Sequence, residues 1–266
     1  METSSVTLNL HHRLQLDEGG SWLLSGLLPE SFLSLSLGGI DLSSLGGHAL
    51  RVGAYSYLIA EAYGLHTNVC ERFRIAAALH DIGKTALPPE LLAKPTALSP
   101  KERQLIETHT SKGCDLLLAT GNPSLTDAAL IAQHHHENMD GSGYPHKLRG
   151  KAIPLGARVV RVADTFDAIT SRRVYSEARS VGNALELLGK GRGKFFDSDI
   201  LDAFEVGLSR YPGVSKRLAW FTTDLVGPSD FGHPHMTSPV FKGNLPPENP
   251  FISAIDWTLP WQDEEK

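Results

Sequence analysis

The chain has almost no cysteine: Cys70 and Cys114 are the only two among 266 residues. Two thiols are too few for a disulfide-stapled scaffold, and no CxxC spacing offers a zinc site. Both fall in helix-like stretches and read as buried small hydrophobes. Long apolar runs are missing too. The stretch SWLLSGLLPESFLSLSLGG is broken by Pro29, Glu30 and several serines well short of membrane-spanning length. The opening METSSVTLNL has no basic segment ahead of an apolar core, so no secretory leader is expected and the reading is a cytoplasmic protein without a membrane partner. Positive charge is not in excess either. Lys and Arg number 25 against 30 Asp and Glu, a formal net charge of -5, which disfavours bulk nucleic acid as a partner.

What is present is helical periodicity. Residues 1–43 form a short Ser, Gly and Leu-rich segment of uncertain structure, in which TLNLHHRLQL alternates well enough for a strand. From 44 to 210 the pattern is that of one all-α domain. HALRVGAYSYLIAEAYGL sets Leu50, Ala54, Leu58 and Ala62 at four-residue spacing, and VCERFRIAAALHDIG continues with Phe73, Ala76 and Ala77 on one side. A helix over 100–119 opens with Ser99 as N-cap and Pro100 at its first position, and another spans 124–137. GARVVRVADTFDAITS, VGNALELLGK and SDILDAFEVGL complete a bundle of about seven helices. The loop NMDGSGYPHKLRGKAIPLG interrupts it, and so long a punctuated stretch in a compact helical domain is usually functional. Residues 211–266 are rich in Pro yet hold Phe, Trp and Ile, which predicts an extended tail that packs on something.

Histidines gather where the periodicity is strongest. His48, His80, His109, His135 and His136 fall in four successive predicted helices, with Asp81 and Asp164 in apolar contexts nearby. One such histidine alone is more often a hydrogen-bonded core residue. Five buried together need a partner, and imidazoles with carboxylates around a divalent cation satisfy every group at once. Adjacent His80 and Asp81 diverge on a helix, so LHDIGK can aim both into one cleft only near a helix end, where Gly83 lets the chain leave and Lys84 is aimed at the same cleft. Neighbouring His135 and His136 cannot share one helix face, so one metal would use only one of them directly, while two metals bridged by an aspartate would use both. Mixed histidine and carboxylate ligation suits Fe, Mn, Ni, Co or Zn rather than Mg or Ca. Paired metals about 3.5–4 Å apart are the usual apparatus for cleaving phosphodiesters, through a hydroxide generated between them.

Taken together, LHDIGK, the THT at 108–110, HHENMDGSGYP at 135–145, ARVVRVADTFDAITSRRVY at 157–175 and GRGKFFDSDILDAF resemble the HD-GYP domain, a subgroup of the HD metal-dependent phosphohydrolases. The resemblance implies an HD-domain helical bundle hydrolysing cyclic di-GMP to linear pGpG or onward to GMP. It implies that His48, His80, Asp81, His109, His135, His136 and Asp164 match the metal ligands, with Asp81 bridging two divalent transition metals, Fe or Mn ahead of Ni, Co or Zn. Asp81 and Lys84 match catalytic positions, and Lys84 also the lysine that contacts a substrate phosphate. Gly143, Tyr144 and Pro145 match the loop motif, and Arg173 with Tyr175 match the downstream arginine and tyrosine. Ser44 stands where three-metal members carry a glutamate, which predicts two metals and the linear dinucleotide as main product. Two other readings are an HD hydrolase for another cyclic dinucleotide or nucleotide phosphate, and a non-catalytic module that uses the loop to bind a protein partner. Asp167, one turn after Asp164, is placed to orient a ligand. Arg158 and Arg161 are spaced to grip phosphate, although a solvated cationic face is the commoner explanation.

Overall fold

The computed structural model describes residues 47–171 and 179–215. Among these it contains no sheet, only an isolated bridge between Arg192 and Phe196. The helices of eight residues or more are α1 Gly47–Ala62, α2 Thr67–Ala78, α3 Pro100–Glu107, α4 His109–Ala119, α5 Thr126–His134, α6 Leu155–Thr170, α7 Val181–Lys190 and α8 Ser198–Arg210. A single turn at Pro89–Leu92 and three short 3-10 turns complete the described secondary structure. The all-α expectation holds, with eight helices of this length among the described residues in place of about seven.

The extra one comes from a break. The helix expected over 100–119 divides at Thr108, whose hydroxyl donates to the Leu105 carbonyl at 2.6 Å and so competes with the helical ladder. His109 therefore opens a new helix, α4. The start of α3 is as expected: the Glu102 amide donates to Ser99 Oγ at 3.4 Å and the Ser99 amide to Glu102 Oε2 at 2.8 Å, a reciprocal capping box with Pro100 next in line. Ser180 and Asp197 cap α7 and α8 with a side-chain oxygen that accepts from the Asn183 and Asp199 amides respectively, without the reciprocal bond.

Helix α1 runs through the middle, buried over most of its length against α2, α6 and α8. Tyr55 of α1, Phe166 of α6 and Phe204 of α8 meet edge to face, with centroids 4.7–5.9 Å apart, and lock these three helices. Both cysteines are buried in α2 and α4, as expected. A second, smaller core lies apart: Leu87, Leu91, Leu92 and Ile106, with Leu98 against it. No helix among the described residues is long and apolar enough to cross a membrane. The strand expected in 1–43, Ser44, the tail beyond 215 and the two positions Arg173 and Tyr175 lie outside the described residues.

Candidate metal centre

The seven histidine and aspartate positions converge. His48 projects from α1, His80 and Asp81 from the turn after α2, His109 from the start of α4, His135 and His136 from just beyond α5, and Asp164 from α6. Their donor atoms form two groups, each within 4.8 Å: Asp81, His109, His135 and His136 in one, and His48, His80 and Asp164 in the other. Neighbouring His135 and His136 lie in the same group, whereas the spacing predicts that any one metal would use only one of them directly. Helix α5 ends at His134, so the helical-wheel argument stops one residue too early. Their rings are 4.1 Å apart.

The backbone sets the tautomers. His80 Nδ1 donates to the Ala77 carbonyl at 2.7 Å, His109 Nδ1 to Ile106 at 2.8 Å and His135 Nδ1 to Ala132 at 3.0 Å. Each ring thus carries its proton on Nδ1 and turns a bare Nε2 inward, the arrangement that orients metal-binding histidines. Nε2 of His109 and Nε2 of His135 then face each other at 3.3 Å. Two lone pairs so placed repel unless a cation lies between them. Burial strengthens the point by holding His109 down to about 4 and His135 and His136 well below the ordinary imidazole range, so these rings are neutral at pH 7.

The other group is supported by charge. His48 Nδ1 donates to Asp167 Oδ2 at 2.8 Å, and Arg51 holds the same carboxylate through Nε at 2.6 Å and Nη2 at 2.9 Å. Asp167 does orient a ligand candidate, as its spacing from Asp164 suggests. Burial opposes a charge on His48, yet Asp164 and Asp167 outweigh it and raise its pKa to about 9. His48 Nε2, His80 Nε2, Asp81 Oδ1 and both carboxylate oxygens of Asp164 are buried without a well-formed hydrogen bond, the nearest approach within the His48 group being His48 Nε2 to Asp164 Oδ1 at 3.3 Å. Such orphaned atoms are rare in a native interior, and their convergence fits a cation.

Asp81 joins the two groups. Its Oδ1 lies 3.3 Å from His109 Nε2 and 3.7 Å from His135 Nε2, while Oδ2 lies 3.3 Å from His80 Nε2 and 2.5 Å from Lys84 Nζ. Each oxygen therefore addresses a different set of imidazoles. Burial works against ionisation here, but the Lys84 ammonium above all holds the carboxyl well below the usual range. Lys84 is itself only 1% exposed, and its ammonium shares the cleft with Asp81 as its spacing from His80 predicts.

Two glycines allow this convergence by having no side chain. A Cβ on Gly83 would stand 1.9 Å from the His109 carbonyl oxygen and 2.5 Å from the Gly113 nitrogen. Gly83 is therefore a contact glycine that lets the LHDIGK turn lie directly on α4. It was expected to provide an exit from the helix, but its φ is not positive and α2 has already ended at Ala78. On Gly143 a Cβ would come within 2.4 Å of the His136 oxygen and the Asn138 nitrogen. That closeness seats Tyr144, whose ring stacks on His136 with centroids 4.8 Å apart and planes 25° from parallel. Pro145 follows in the same loop. Glu137 fixes the loop by accepting from the amides of His146 at 2.7 Å and Leu148 at 3.0 Å. Asp140 accepts from Ser142.

The two α6 arginines part company. Arg158 pairs with Asp197 and donates to the Ile153 carbonyl, so it ties α6 to the start of α8. Arg161 turns toward the loop and donates to Asn138 Oδ1 at 3.1 Å. Sequence reasoning did not single out Arg51 or Asn138. The available signal for Arg51 was a charged residue one turn after His48 in an otherwise apolar helix.

Comparison with known proteins identifies the family. Residues 40–200 match the HD domain family. The chain belongs to that family. This HD domain is 44% identical over 153 residues to the cyclic di-GMP phosphodiesterase response regulator RpfG of Xanthomonas campestris pv. campestris, an alignment covering 58% of the chain and 40% of the relative. It is 34% identical over 157 residues to 3'3'-cGAMP-specific phosphodiesterase 2 of Vibrio cholerae, covering 59% of the chain and 30% of the relative. The chain thus spans less than half the length of these curated relatives. Among solved structures, Bd1817, an HDG"Y"P protein from Bdellovibrio bacteriovorus, shares the fold with a TM-score of 0.50 at 18% identity, over 77% of this chain and 66% of that one. The HD-GYP resemblance and the HD-type bundle both hold.

Proposed function

We propose that this HD domain is a metal-dependent phosphodiesterase that hydrolyses cyclic di-GMP, with the linear dinucleotide as main product. The observation that carries the reading is Asp81, whose two oxygens address separate imidazole groups, beside buried polar atoms of His48, His80 and Asp164 that make no well-formed hydrogen bond. Two divalent cations fit that donor set, one with His48, His80 and Asp164, the other with His109, His135 and His136, and Asp81 shared between them. Iron or manganese suits the mixture of nitrogen and carboxylate donors, with nickel, cobalt or zinc as alternatives. When bound, such cations supply Lewis acidity toward phosphoryl oxygens.

The chain's own residues supply the rest. The Nδ1 clamps and the Arg51–Asp167 support keep the imidazoles aimed before substrate arrives, which is the preorganisation that catalysis needs. Lys84 places a cation beside Asp81, where it can meet a phosphate oxygen. Tyr144 presents a ring beside His136 against which a guanine can stack. The identity to a cyclic di-GMP phosphodiesterase, higher than to a cGAMP-specific one, favours the first substrate.

The test is turnover by purified, metal-loaded protein given cyclic di-GMP, 3'3'-cGAMP and a nucleotide phosphomonoester in parallel, with products resolved by chromatography and metal content measured in the same preparation. Preferential conversion of cyclic di-GMP to pGpG at about two cations per chain is expected. A loaded protein inert toward every cyclic dinucleotide would overturn the reading.

A further inference from the structure

Arg158 and Arg161 lie one turn apart on α6, and the contrast between them is informative. Arg158 is neutralised by Asp197. Arg161 has no carboxylate within 4.0 Å among the described residues; a single hydrogen bond to the neutral Asn138 side chain engages its Nη2, its Nε is buried without a partner, and the ring of Phe196 lies 5.7 Å from its Cζ. A guanidinium does not give up its proton, and a partly buried charge without a counter-charge is unfavourable. Burial does pull the Arg161 pKa below its ordinary value, with Asp164 and Tyr144 opposing.

Its surroundings belong to the centre. Asp164 follows one turn later on the same helix. Asn138 lies two residues beyond His136 and is held in turn by its own bond to Ser142 Oγ at 3.0 Å. After burial and the neighbouring His135 and His109, Arg161 also disfavours a charge on His136, and it acts on Tyr144 as well. The cation thus stands within electrostatic reach of both ligand groups and of the loop ring.

We propose that Arg161, held in place by Asn138, is a substrate-binding residue that receives a phosphoryl group of the cyclic dinucleotide. This rests on the phosphodiesterase reading above. The planar fork has donors left to take two phosphate oxygens, and the substrate supplies the missing negative charge. Asn138 fixes the fork without neutralising it, which a carboxylate at that position would do.

The experiment compares wild type, Arg161→Gln, Arg161→Lys and, as a control, Arg158→Gln, all metal-loaded. Steady-state kinetics on cyclic di-GMP, calorimetric titration with inorganic phosphate, metal content and Tm are read on each. For Arg161→Gln a KM raised about 10- to 100-fold is expected, the loss of one charge-assisted contact, with kcat little changed, phosphate bound more weakly, metal content unaltered and Tm equal to or above wild type. Arg161→Lys falls between, because it keeps the charge and loses the fork. Arg158→Gln lowers Tm and leaves KM unchanged. A KM and a phosphate affinity within twofold of wild type in Arg161→Gln, or a fall in Tm matching that of Arg158→Gln, would overturn the proposal. Should wild type turn over no cyclic dinucleotide, the phosphate titration still decides: weaker binding in Arg161→Gln upholds an anion site there, and equal binding or none in wild type removes it.

Discussion

The two candidate ligand groups contain similar side chains but are supported by different physics. The group of His109, His135, His136 and Asp81 is braced by backbone: carbonyls accept from Nδ1, Gly83 and Gly113 bring two elements into direct contact, and the loop lays Tyr144 across it. Its imidazoles are buried and neutral. The group of His48, His80 and Asp164 is braced on one side by the charged chain His48, Asp167 and Arg51. One half of the centre therefore depends on close packing, and the other on the ionisation of its supports.

Breaking the shared member removes the distinction. Asp81→Ala is expected to abolish turnover and lower metal content at both groups, read by kinetics and elemental analysis. It leaves Lys84, His80 and His109 without their common carboxylate. Gly83→Ala sharpens the comparison. The added Cβ meets the His109 carbonyl at 1.9 Å, so the turn and α4 must separate, at about 3 kcal/mol of stability. Calorimetry should show the lower Tm, and metal loss should fall first on the packed group.

Asp167→Asn tests the charged half. Metal affinity at the His48 group should fall about 10- to 100-fold while the packed group keeps its cation, measured by competition with a chelator. The pH dependence follows from His48. Its folded pKa of about 9 exceeds its ordinary value of 6.5, so protonated His48 stabilises the metal-free protein fully below pH 6.5, and that contribution is lost as pH rises to about 9. Cation uptake by this group, which displaces the proton, should strengthen over the same interval. In Asp167→Asn the slope of Tm against pH in that window should flatten. The smallest effect is expected far from either group: Ser99→Ala removes a cap, lowers stability by about 1 kcal/mol and leaves metal content alone.

What could be read in the sequence was what is local or repeated. The Ser99 cap and its Glu102 partner lie three residues apart, and the apolar period of α1 or α6 spans several turns, so both are visible along the chain. The seven histidine and aspartate positions could be named because their motifs resemble a family. Their division into two groups could not, since it depends on α5 ending at His134. The break at Thr108 was hidden because threonine also occurs inside helices, and only the bond to Leu105 distinguishes this one. Gly83 was seen as a breaker because the surface it touches is 26 residues further on. Arg158 and Arg161 look alike in sequence, and their difference arises from Asp197, 39 residues beyond the first of them.

The division at Thr108 has a consequence for how the molecule breathes. It leaves Leu87, Leu91, Leu92, Leu98 and Ile106 as a small outrigger with its own apolar interior, joined to the main body where α3 hands over to α4. Amides within that outrigger should exchange with solvent through a partial opening that leaves the imidazole cage closed, so insertions between 87 and 106 are absorbed there before they disturb the chemistry.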